Sequence, residues 1–372
     1  MSAFPPRTYL ASAAFGLEGV AAGELRRMGI PAKAEQGGAR FEAAPADAFR
    51  ANLWLRTADR VLLVLAEQTV ASFEDLYQLV SSIPWENLLP KDAAFPVTGK
   101  CVRSRLMSVR DCQAVSKKAI CNRLQGRYHL ERLPETGAAY PIDVAIHKDL
   151  ARITLDMSGE ALNRRGYRTW NGEAPLRETL AAALVDLSPW RVGMPLADPC
   201  CGTGTLLIEA AMKAARRAPG LTRSFACESF AFMPAGEMKA LRQQAQEAYA
   251  PQAAMDILGS DIDPQALTLC EKHVRQAGFE GRITARRLDL RELQLQKPQG
   301  VFLTNPPYGE RLGDKASCQA LYRDLGALLR RHPGWRMGII VSDPAFERFF
   351  GRRATQKRRL YNGRLECEFM IF

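Results

Sequence analysis

The chain has 372 residues, of which 47% are apolar and 24% are charged, a balance typical of a globular protein with two or three domains. No apolar run approaches the ~20 residues that cross a bilayer, and the N-terminus lacks the basic and apolar segments of an export signal, so we expect a cytoplasmic location. Nine cysteines without CxxC or metal-ligand spacing favour reduced thiols over a disulfide framework and predict no metal site.

The net charge of +11 and its distribution suit a polyanionic partner. Residues 100–132 carry nine basic and two acidic side chains, and residues 351–365 carry six basic and no acidic ones. Either island alone could be only a solvated surface, but two in one chain favour nucleic acid. The basic side chains of the first island that we expect to contact it are Lys100, Arg103, Arg105, Arg110, Lys117 and Lys118. The sequence does not determine the oligomeric state, and we expect a monomer.

Residues 1–65 predict a small α+β unit, because short apolar strands and helices alternate there. Its predicted elements are strands 8–14, 39–42 and 60–70 and helices 17–29 and 47–57.

Residues 66–160 predict a second unit built around one helix and one hairpin. Ser108 and Asp111 form a capping-box-like start to the helix, and Arg110 and Lys117 share a side of it that could meet phosphates. Residues 141–159 alternate apolar and polar positions around the turn at 147–150, which predicts the hairpin.

In residues 161–372 strands alternate with helices, which is the pattern of a doubly wound parallel sheet. The predicted elements are strands 194–198, 255–261, 282–287, 301–305 and 336–342 and helices 175–187, 205–217, 264–277 and 318–332. Near the end, Asn362-Gly363 between two strand-like runs predicts a hairpin with a type I′ turn. An antiparallel hairpin is not the expected end of a dinucleotide-binding fold.

A ligand-binding edge is predicted where these strands end. Asp198 closes the first strand and is followed by Gly202 and Gly204, which allow close backbone approach before a helix N-terminus. Asp261 and Asp289 close the next two strands, where doubly wound folds bind ligands; Asp261 could hold ribose hydroxyls and Asp289 an adenine amine. The glycines alone could form a simple turn. An alternative role for Asp261 is to cap the following helix, but we assign that role to Asp263.

A dinucleotide is a poor candidate for that ligand. The third glycine of GxGxxG is replaced by Leu207, and Asp261 lies 57 residues after Gly204 rather than about 20. No residue set for hydride transfer is apparent either.

The stretch Asn305-Pro306-Pro307-Tyr308 follows the fourth strand of this sheet. Residues before proline favour extended backbone, and proline lacks an N–H, so the corner is rigid and rich in acceptors. Asn305 Oδ1 and the Pro306 carbonyl can together accept both hydrogens of an exocyclic amine, and Tyr308 offers a ring for stacking a flipped base. The alternative is a structural cis-proline turn. Methylation of a pyrimidine carbon is disfavoured, since it needs a cysteine nucleophile. Cys200 and Cys201 are better explained by packing or by the backbone turn, and Cys318 lies beyond the motif on a predicted helix.

The sequence resembles the class I S-adenosylmethionine-dependent methyltransferases, and among them the bacterial THUMP-domain RNA methyltransferases, over nearly its whole length. The motifs that carry the resemblance are "DPCCGTGTLLIEAA", "NPPYGERLG", "GKCVRSRLMSVRDCQAVSKKAI", "ALNRRGYRTWNGEAPLRETLAAALV" and the insertion "RSFACESFAFM". The resemblance implies a ferredoxin-like unit at 1–65, a THUMP RNA-binding domain at 66–160 and a Rossmann-like α/β methyltransferase domain at 161–372. Its sheet should be mostly parallel and seven-stranded, with a C-terminal antiparallel hairpin.

The function implied is methyl transfer from S-adenosylmethionine to guanine N2 in 23S rRNA or a large-subunit precursor. The residues implied to contact the cofactor or the amine are Asp198, Cys200, Gly202, Thr203, Gly204, Thr205, Glu178, Thr179, Asp261, Ile262, Asp289, Leu290 and Asn305, with Pro306, Pro307 and Tyr308 completing the amine site. Some relatives carry a second methyltransferase domain, and because this chain ends at Phe372 we expect a single activity. Two alternatives stay open: the same chemistry on tRNA or on adenine N6, and a non-catalytic ribosome-assembly factor.

Overall fold

The computed structural model describes residues 5–168, 176–307 and 315–372, which form two seven-stranded sheets flanked by helices. The strands of the first sheet are β1 (Arg7–Ser12), β2 (Ala32–Glu35), β3 (Gly38–Ala43), β4 (Arg60–Thr69), β5 (Val97–Val102), β6 (Ile142–His147) and β7 (Leu150–Asp156). Those of the second are β8 (Leu196–Asp198), β9 (Ile257–Asp261), β10 (Thr284–Arg287), β11 (Gly300–Thr304), β12 (Trp335–Val341), β13 (Gln356–Asn362) and β14 (Leu365–Ile371).

The helices are α1 (Glu18–Arg27), α2 (Pro45–Trp54), α3 (Phe73–Ser82), α4 (Val109–Tyr128), α5 (Glu178–Leu187), α6 (Thr205–Ala214), α7 (Glu237–Ala248), α8 (Pro264–Gln276), α9 (Lys315–Arg331) and α10 (Phe346–Phe350). Helix α4 begins where the sequence predicts, since the Ser108 hydroxyl accepts a hydrogen bond from the Asp111 N–H. Among the described residues, none of the helices is long and apolar enough to cross a membrane. The sequence did not predict β2, β5, α3, α7 or α10.

The first sheet joins the two N-terminal units, with strand order β2-β3-β1-β4-β7-β6-β5. Its neighbours pair antiparallel except β5 and β6, which are parallel. The predicted boundary at residue 65 falls within β4, which pairs with β1 on one side and β7 on the other. The division into 1–65, 66–160 and 161–372 therefore stays a proposal.

The second sheet has the order β10-β9-β8-β11-β12-β14-β13 and confirms the predicted mostly parallel architecture. The five strands β8 to β12 are parallel, and β14 pairs antiparallel with both β12 and β13. The chain adds β9 and β10 on one side of β8 and then β11 and β12 on the other, so the strand order reverses between β8 and β11. A crevice forms at such a reversal, outside the carboxyl ends of the strands.

The terminal hairpin is present, but its predicted turn is wrong by one residue. Asn362 pairs with Leu365, so the two-residue loop is Gly363-Arg364 rather than Asn362-Gly363. Of the two loop residues only Gly363 has a positive φ, +65°, as in a type II′ turn, whereas type I′ needs positive φ at both. The propensity of Asn-Gly for turns located the hairpin, and the strand register then placed asparagine in β13.

A buried polar network fastens the second sheet to the first. Glu209 on α6 is fully buried, and its carboxylate accepts from Arg56 Nη1 at 3.3 Å and from the Tyr167 hydroxyl at 3.2 Å. Arg165 Nε lies 3.5 Å from the same carboxylate. Because these partners belong to the loop after α2 and to the segment after β7, the network fixes the N-terminal units against the helix that follows β8.

Candidate active site

A cavity of about 950 Å³ opens at the edge of the second sheet where β8, β9, β10 and β11 end. This is the reversal point of the strand order, as expected for a ligand site in a doubly wound fold. The structure brings together eleven of the predicted site residues in its lining: Asp198, Cys200, Gly202, Thr203, Thr205, Asp261, Ile262, Asp289, Leu290, Asn305 and Pro307.

The loop from β8 to α6 forms the floor of the cavity. Gly202 and Gly204 adopt positive φ, +52° and +82°, which L side chains rarely adopt. A Cβ on Gly204 would lie 2.5 Å from Cys270 Sγ, so α8 packs directly against this glycine. A Cβ on Gly202 would meet nothing within 4 Å, so the loop presents bare backbone to open space at that point.

Asp261 ties the glycine loop to the end of β9. Its Oδ2 accepts from the Gly202 N–H at 2.8 Å, and its Oδ1 accepts from the Asp263 N–H at 3.0 Å. Asp263 is the residue that caps α8, since its Oδ1 accepts from the Gln265 N–H at 2.8 Å, as the sequence predicts. The Asp261 carboxylate lines the cavity and is held in place by two backbone N–H groups.

Asp198 is buried beneath the loop, where its Oδ1 accepts from the Cys200 N–H at 3.1 Å. Burial raises the pKa of Asp198 to about 7, because the charged form is desolvated. The Thr304 hydroxyl and the Cys200 N–H act in the opposite direction, and the neighbouring Asp261 charge adds to the increase.

Asp289 lies at the end of β10 in an ion pair with Arg291, whose Nη2 is 2.6 Å from Oδ2. This guanidinium holds the pKa of Asp289 below its ordinary value. Ile262, with 64% of its surface exposed, forms the neighbouring apolar wall together with Leu290. An acid beside two apolar side chains is a setting suited to a planar ring with an amine edge.

Asn305 is the unusual residue of the site. Its Oδ1 is buried and has no hydrogen-bond partner in the described residues, although Asn305 lines the cavity. A buried amide oxygen without a donor costs about 1 to 3 kcal/mol, so a donor from a ligand is the natural complement. The described chain contains no cis peptide bond, so the predicted alternative of a cis-proline turn at Pro306 or Pro307 is not observed.

Five other predicted site residues do not line the cavity as described, and one of these five lies outside the described residues. Gly204 and Pro306 are one residue away from lining positions, and Tyr308 falls outside the described residues. Glu178 and Thr179 are buried at the start of α5, where Glu178 pairs with Arg168 and the Thr179 hydroxyl donates to Asp59. Arg168 also donates to the Thr205 hydroxyl at 2.6 Å, which links Glu178 indirectly to the cavity.

The sequence did not predict the walls that α8 and α9 contribute. Helix α8 supplies Gln265, Ala266 and Leu269, and α9 supplies Ser317, Ala320, Leu321 and Asp324. The α9 positions follow i, i+3, i+4, i+7 spacing, so they form one face of the helix. That pattern was present in the sequence, but it does not distinguish a cavity wall from an ordinary buried face.

Most of the predicted nucleic-acid side chains lie near the end of β5 and the start of α4. Lys100, Arg103, Arg105 and Arg110 are exposed there, whereas Lys118 is exposed in the middle of α4, next to Lys117. Lys117 is engaged within the protein, since its Nζ lies 2.6 Å from Glu135 Oε2 and 3.5 Å from the centroid of the Phe95 ring. Lys148, in the β6–β7 turn, is exposed beside them and was not predicted, because the turn was interpreted only as a hairpin loop.

The strand order, the glycine loop and the acceptor corner after β11 define a class I S-adenosylmethionine-dependent methyltransferase. Residues 165–371 match the family model described as RMKL-like, methyltransferase domain. Residues 8–62 match the RlmL ferredoxin-like domain and residues 70–156 match the THUMP domain. The chain belongs to the RMKL-like methyltransferase family.

Two curated relatives cover nearly the whole chain. A "Putative RNA methyltransferase YpsC" of Bacillus subtilis is 37% identical over 97% of this chain and 94% of its own length. The "Ribosomal RNA large subunit methyltransferase K/L" of Syntrophotalea carbinolica is 34% identical over 99% of this chain and 53% of its own length. The chain therefore spans about half the length of the K/L relatives that it matches.

Two solved structures are similar throughout. "SMU.472, a putative methyltransferase complexed with SAH" is 37% identical, with a TM-score of 0.94 over 100% of this chain and 98% of its own. A "predicted N6-adenine-specific DNA methylase" from Listeria monocytogenes is 40% identical, with a TM-score of 0.92 over 99% of this chain and 96% of its own.

The cofactor of this family is S-adenosylmethionine, and the residues present fit it. Bare backbone at Gly202, a carboxylate at the end of β9 and an apolar wall beside Asp289 match an amino-acid end, ribose hydroxyls and a purine. Arg291 already donates to both oxygens of Asp289, and a carboxylate can still accept a further hydrogen bond from an adenine amine.

We predict that Asp261→Ala weakens the binding of S-adenosylhomocysteine by about 2 kcal/mol, which is about 30-fold in Kd. The substitution removes an acceptor for ribose hydroxyls and releases the Gly202 N–H. Isothermal titration calorimetry measures the effect. Asp256→Ala is the matched control, because Asp256 is exposed just before the start of the same strand. Equal affinities for the two variants would contradict the role of Asp261.

We predict a pH-dependent stability difference between the wild type and Asp198→Asn. The folded-state pKa of Asp198 is raised to about 7, so the folded state binds the proton more tightly than the unfolded state. Stabilisation by this proton is present below the unfolded pKa and is lost as the pH rises to about 7. The variant, which mimics the protonated acid, should gain up to about 4 kcal/mol relative to the wild type between pH 4 and pH 8. Urea unfolding at several pH values measures this, and a constant difference would contradict it.

Proposed function

We propose that the protein transfers a methyl group from S-adenosylmethionine to the exocyclic N2 amine of a guanine in 23S rRNA. The target base enters a pocket formed by Asn305, Pro306, Pro307 and Tyr308, the last of which lies outside the described residues. The observation that carries the proposal is the buried Asn305 Oδ1, which has no donor among the described residues and lines the cavity at the end of β11. We propose a cytoplasmic location, where ribosomal RNA is available.

An exocyclic amine is the complement of this corner. It is planar and carries two hydrogens, and Asn305 Oδ1 with the Pro306 carbonyl would supply two acceptors. Pro306 and Pro307 have no N–H, so neither of them competes for the lone pair of the amine. A base in a helix must be flipped out to reach such a site, at a cost of a few kcal/mol that is smallest in loops and single strands.

The residues of the chain bind and orient the reactants. Bound S-adenosylmethionine would supply an electrophilic methyl group on a sulfonium: the N–C bond forms as the S–C bond breaks, S-adenosylhomocysteine leaves, and one amine proton passes to solvent. Asn305 holds the amine by its hydrogens, so that the nitrogen lone pair is directed away from the acceptors. The rigid backbone of Pro306 and Pro307 keeps this orientation, and proximity of this kind can supply most of the acceleration when a good electrophile is present.

Cysteine-dependent carbon methylation is not supported by the thiols near the cavity. Burial raises the pKa of Cys200 well above its ordinary value. A hydrogen bond to Cys270, together with burial, raises the pKa of Cys201 in the same direction. A thiol nucleophile must be present as the thiolate, which both environments oppose.

RNA as the substrate is supported by a surface at the end of the first sheet, which we call the THUMP-end surface. It comprises Lys100, Val102, Arg103, Arg105, Met107, Arg110, Lys148 and Leu150. The loop that follows β5 is fixed to the β6–β7 turn, since the Lys148 N–H donates to the Val102 carbonyl and the Arg105 N–H donates to Asp149. Val102, Met107 and Leu150 are 47%, 79% and 43% exposed, so apolar contacts alternate with cations, as in surfaces that bind single-stranded RNA.

The names of the relatives support rRNA as the substrate and suggest a second candidate substrate. The K/L relative is named a large-subunit ribosomal RNA methyltransferase, which favours 23S rRNA. The Listeria protein is named for N6-adenine in DNA, and an adenine amine fits the Asn305 corner equally well. The same chemistry on tRNA also satisfies the site.

Transfer of labelled methyl groups to 23S rRNA, tRNA and DNA, followed by nucleoside analysis, tests the proposal. The expected product is N2-methylguanosine in 23S rRNA only. N6-methyladenosine, or label in tRNA or DNA, would replace the proposed substrate by the corresponding candidate. Binding of S-adenosylhomocysteine without any transfer would favour a ribosome-assembly factor.

We predict that Asn305→Ala lowers kcat to background while leaving the affinity for S-adenosylhomocysteine within about threefold, because the lost acceptor serves the amine. Asn305→Asp keeps an acceptor oxygen and should retain more turnover than the alanine variant. Single-turnover methyl transfer and calorimetry measure the two quantities separately. Unchanged turnover in Asn305→Ala would exclude the proposed amine contact.

We predict that Arg103→Glu with Arg110→Glu flattens the salt dependence of RNA binding by about 0.7 to 0.9 per lost phosphate contact in the log–log slope. Lys33→Glu is the matched control, since Lys33 is exposed on β2 at the opposite edge of the same sheet. Fluorescence anisotropy at several salt concentrations gives both slopes. Identical slopes for the double variant and the control would place the RNA elsewhere.

A further inference from the structure

The second basic island of the sequence is divided by the fold. Arg352 and Arg353 precede β13, at the end of the sheet away from the cavity, and Arg358 is used internally, since its Nε donates to the Gly16 carbonyl at 3.0 Å. Arg359 and Arg364 lie at the other end of the same hairpin. Lys357, near the start of β13, pairs with Glu347. Of the six basic residues of the island, Arg359 and Arg364 therefore lie nearest the edge of the sheet that carries Asn305.

The hairpin projects beyond that edge. The last residue of β12 that pairs with β14 is Val341, opposite Glu368, and Glu368 pairs in turn with Arg359. Three further pairs follow toward the tip: Leu360 with Cys367, Tyr361 with Glu366 and Asn362 with Leu365. Because β12 and β11 are parallel and both end at the cavity edge, the tip extends past this edge on the same side as Asn305.

A cluster of aromatic and cationic side chains occupies this projecting end. We call Phe15, Arg359, Tyr361 and Arg364 the hairpin-edge cluster. The Phe15 and Tyr361 rings pack edge to face with centroids 5.6 Å apart, and the Arg359 guanidinium lies 5.6 Å from the Phe15 centroid. Phe15 is nevertheless 54% exposed, so the ring is oriented by its neighbours and remains open to solvent on part of its surface.

The backbone around Phe15 is fixed by a close approach. Gly16 has φ +87°, and a Cβ there would lie 2.6 Å from the Arg359 carbonyl oxygen. Only glycine allows the β1–α1 loop to lie this close to β13. The N-terminal unit therefore presents its aromatic ring on the hairpin of the methyltransferase domain.

The acidic groups around the cluster each have a partner. Glu366 accepts from the Tyr361 hydroxyl at 2.7 Å and lies 3.8 Å from Arg359. Glu347 and Glu368 both lie near Lys357, at 2.5 and 3.9 Å. Arg364, at the exposed tip, has no ion pair among the described residues.

We propose that the hairpin-edge cluster binds the single-stranded RNA that flanks the methylated nucleotide, with a base stacked on Phe15 and phosphates held by Arg359 and Arg364. The proposal rests on the proposed function, and it adds a second RNA contact at a defined distance from Asn305. From β11 to β13 there are three strand steps of about 4.8 Å each, or about 14 Å. A stacked strand rises about 3.4 Å per nucleotide, so this lateral separation alone places the contact at least about four nucleotides from the target.

The test uses the full chain, unmodified 23S rRNA, and the variants Phe15→Ala, Phe15→Trp and Arg364→Glu. Arg336→Glu is the matched control, because Arg336 is exposed on β12 near the opposite end of the same sheet. Fluorescence anisotropy gives Kd for RNA and its salt dependence, methyl transfer gives KM and kcat, and calorimetry gives the affinity for S-adenosylhomocysteine. Thermal unfolding identifies any variant that fails to fold.

Phe15→Ala should weaken RNA binding at least about fivefold, while Phe15→Trp, which keeps a stacking surface, should stay near the wild type. Arg364→Glu should lower the salt slope by about 0.7, and Arg336→Glu should leave it unchanged. None of the variants should change kcat or the affinity for S-adenosylhomocysteine. RNA affinities and slopes equal to wild type for both Phe15→Ala and Arg364→Glu would overturn the proposal. Absence of methyl transfer by the wild type would instead refute the proposed function, while the binding measurements would still decide the cluster.

Discussion

The site depends on one constraint, which is that parallel strands joined by helical crossovers bring all their carboxyl ends to the same edge. Asp198, Asp261 and Asn305 are far apart in the chain, yet each follows directly from an apolar strand and reaches the same cavity. The reversal of strand order between β8 and β11 opens the crevice between the loop of Gly202 and the corner of Asn305. If β8 or β11 ran antiparallel to its neighbours, the functional residues that follow that strand would lie at the opposite edge of the sheet.

Much of this arrangement could be predicted from the sequence, because the functional residues close short apolar runs whose direction the alternating pattern determines. What could not be predicted depends on side-chain contacts and on strand register, which the local pattern of residues does not determine. The sequence predicts Lys117 as a phosphate ligand, but its ammonium group forms an ion pair with Glu135, in an irregular segment 18 residues later. The sequence did not predict the ion pair of Arg291 with Asp289 either. The same holds for the face of α9 that includes Asp324, since helical spacing alone does not say which buried face borders a cavity. The turn of the last hairpin was misplaced because strand register, rather than the local preference of Asn362, determined the loop.

The two sheets are held together by polar groups that only their mutual arrangement satisfies. The Glu209 carboxylate accepts hydrogen bonds from residues of the N-terminal unit and of the connecting segment. Because Glu209 is fully buried, removal of any one of the three donors would lower the stability of the fold. A second contact lies further along, where Phe230 of the insertion stacks on Tyr140 with centroids 4.5 Å apart and the Ala231 N–H donates to the Tyr140 hydroxyl. These contacts fix the distance from the THUMP-end surface to Asn305, so an RNA bound at both must have a matching shape. Selection by shape is how proteins usually recognise structured RNA.

Charge is segregated in a way that suits the proposed substrate. Among the described residues, the cavity lining contains five aspartates, at positions 198, 261, 263, 289 and 324, and one arginine, whereas the protein as a whole carries a net charge of +11. An acidic cavity attracts a sulfonium and an ammonium group and repels phosphate. The sugar–phosphate backbone is therefore disfavoured inside the cavity and favoured on the basic surfaces around it. An uncharged base can enter without that penalty, and in the proposed function the neutral Asn305 would accept hydrogen bonds from its amine without adding charge. The same electrostatic division is therefore what the proposed reaction needs: it favours an uncharged base and a cationic cofactor inside the cavity and the nucleic-acid backbone outside it.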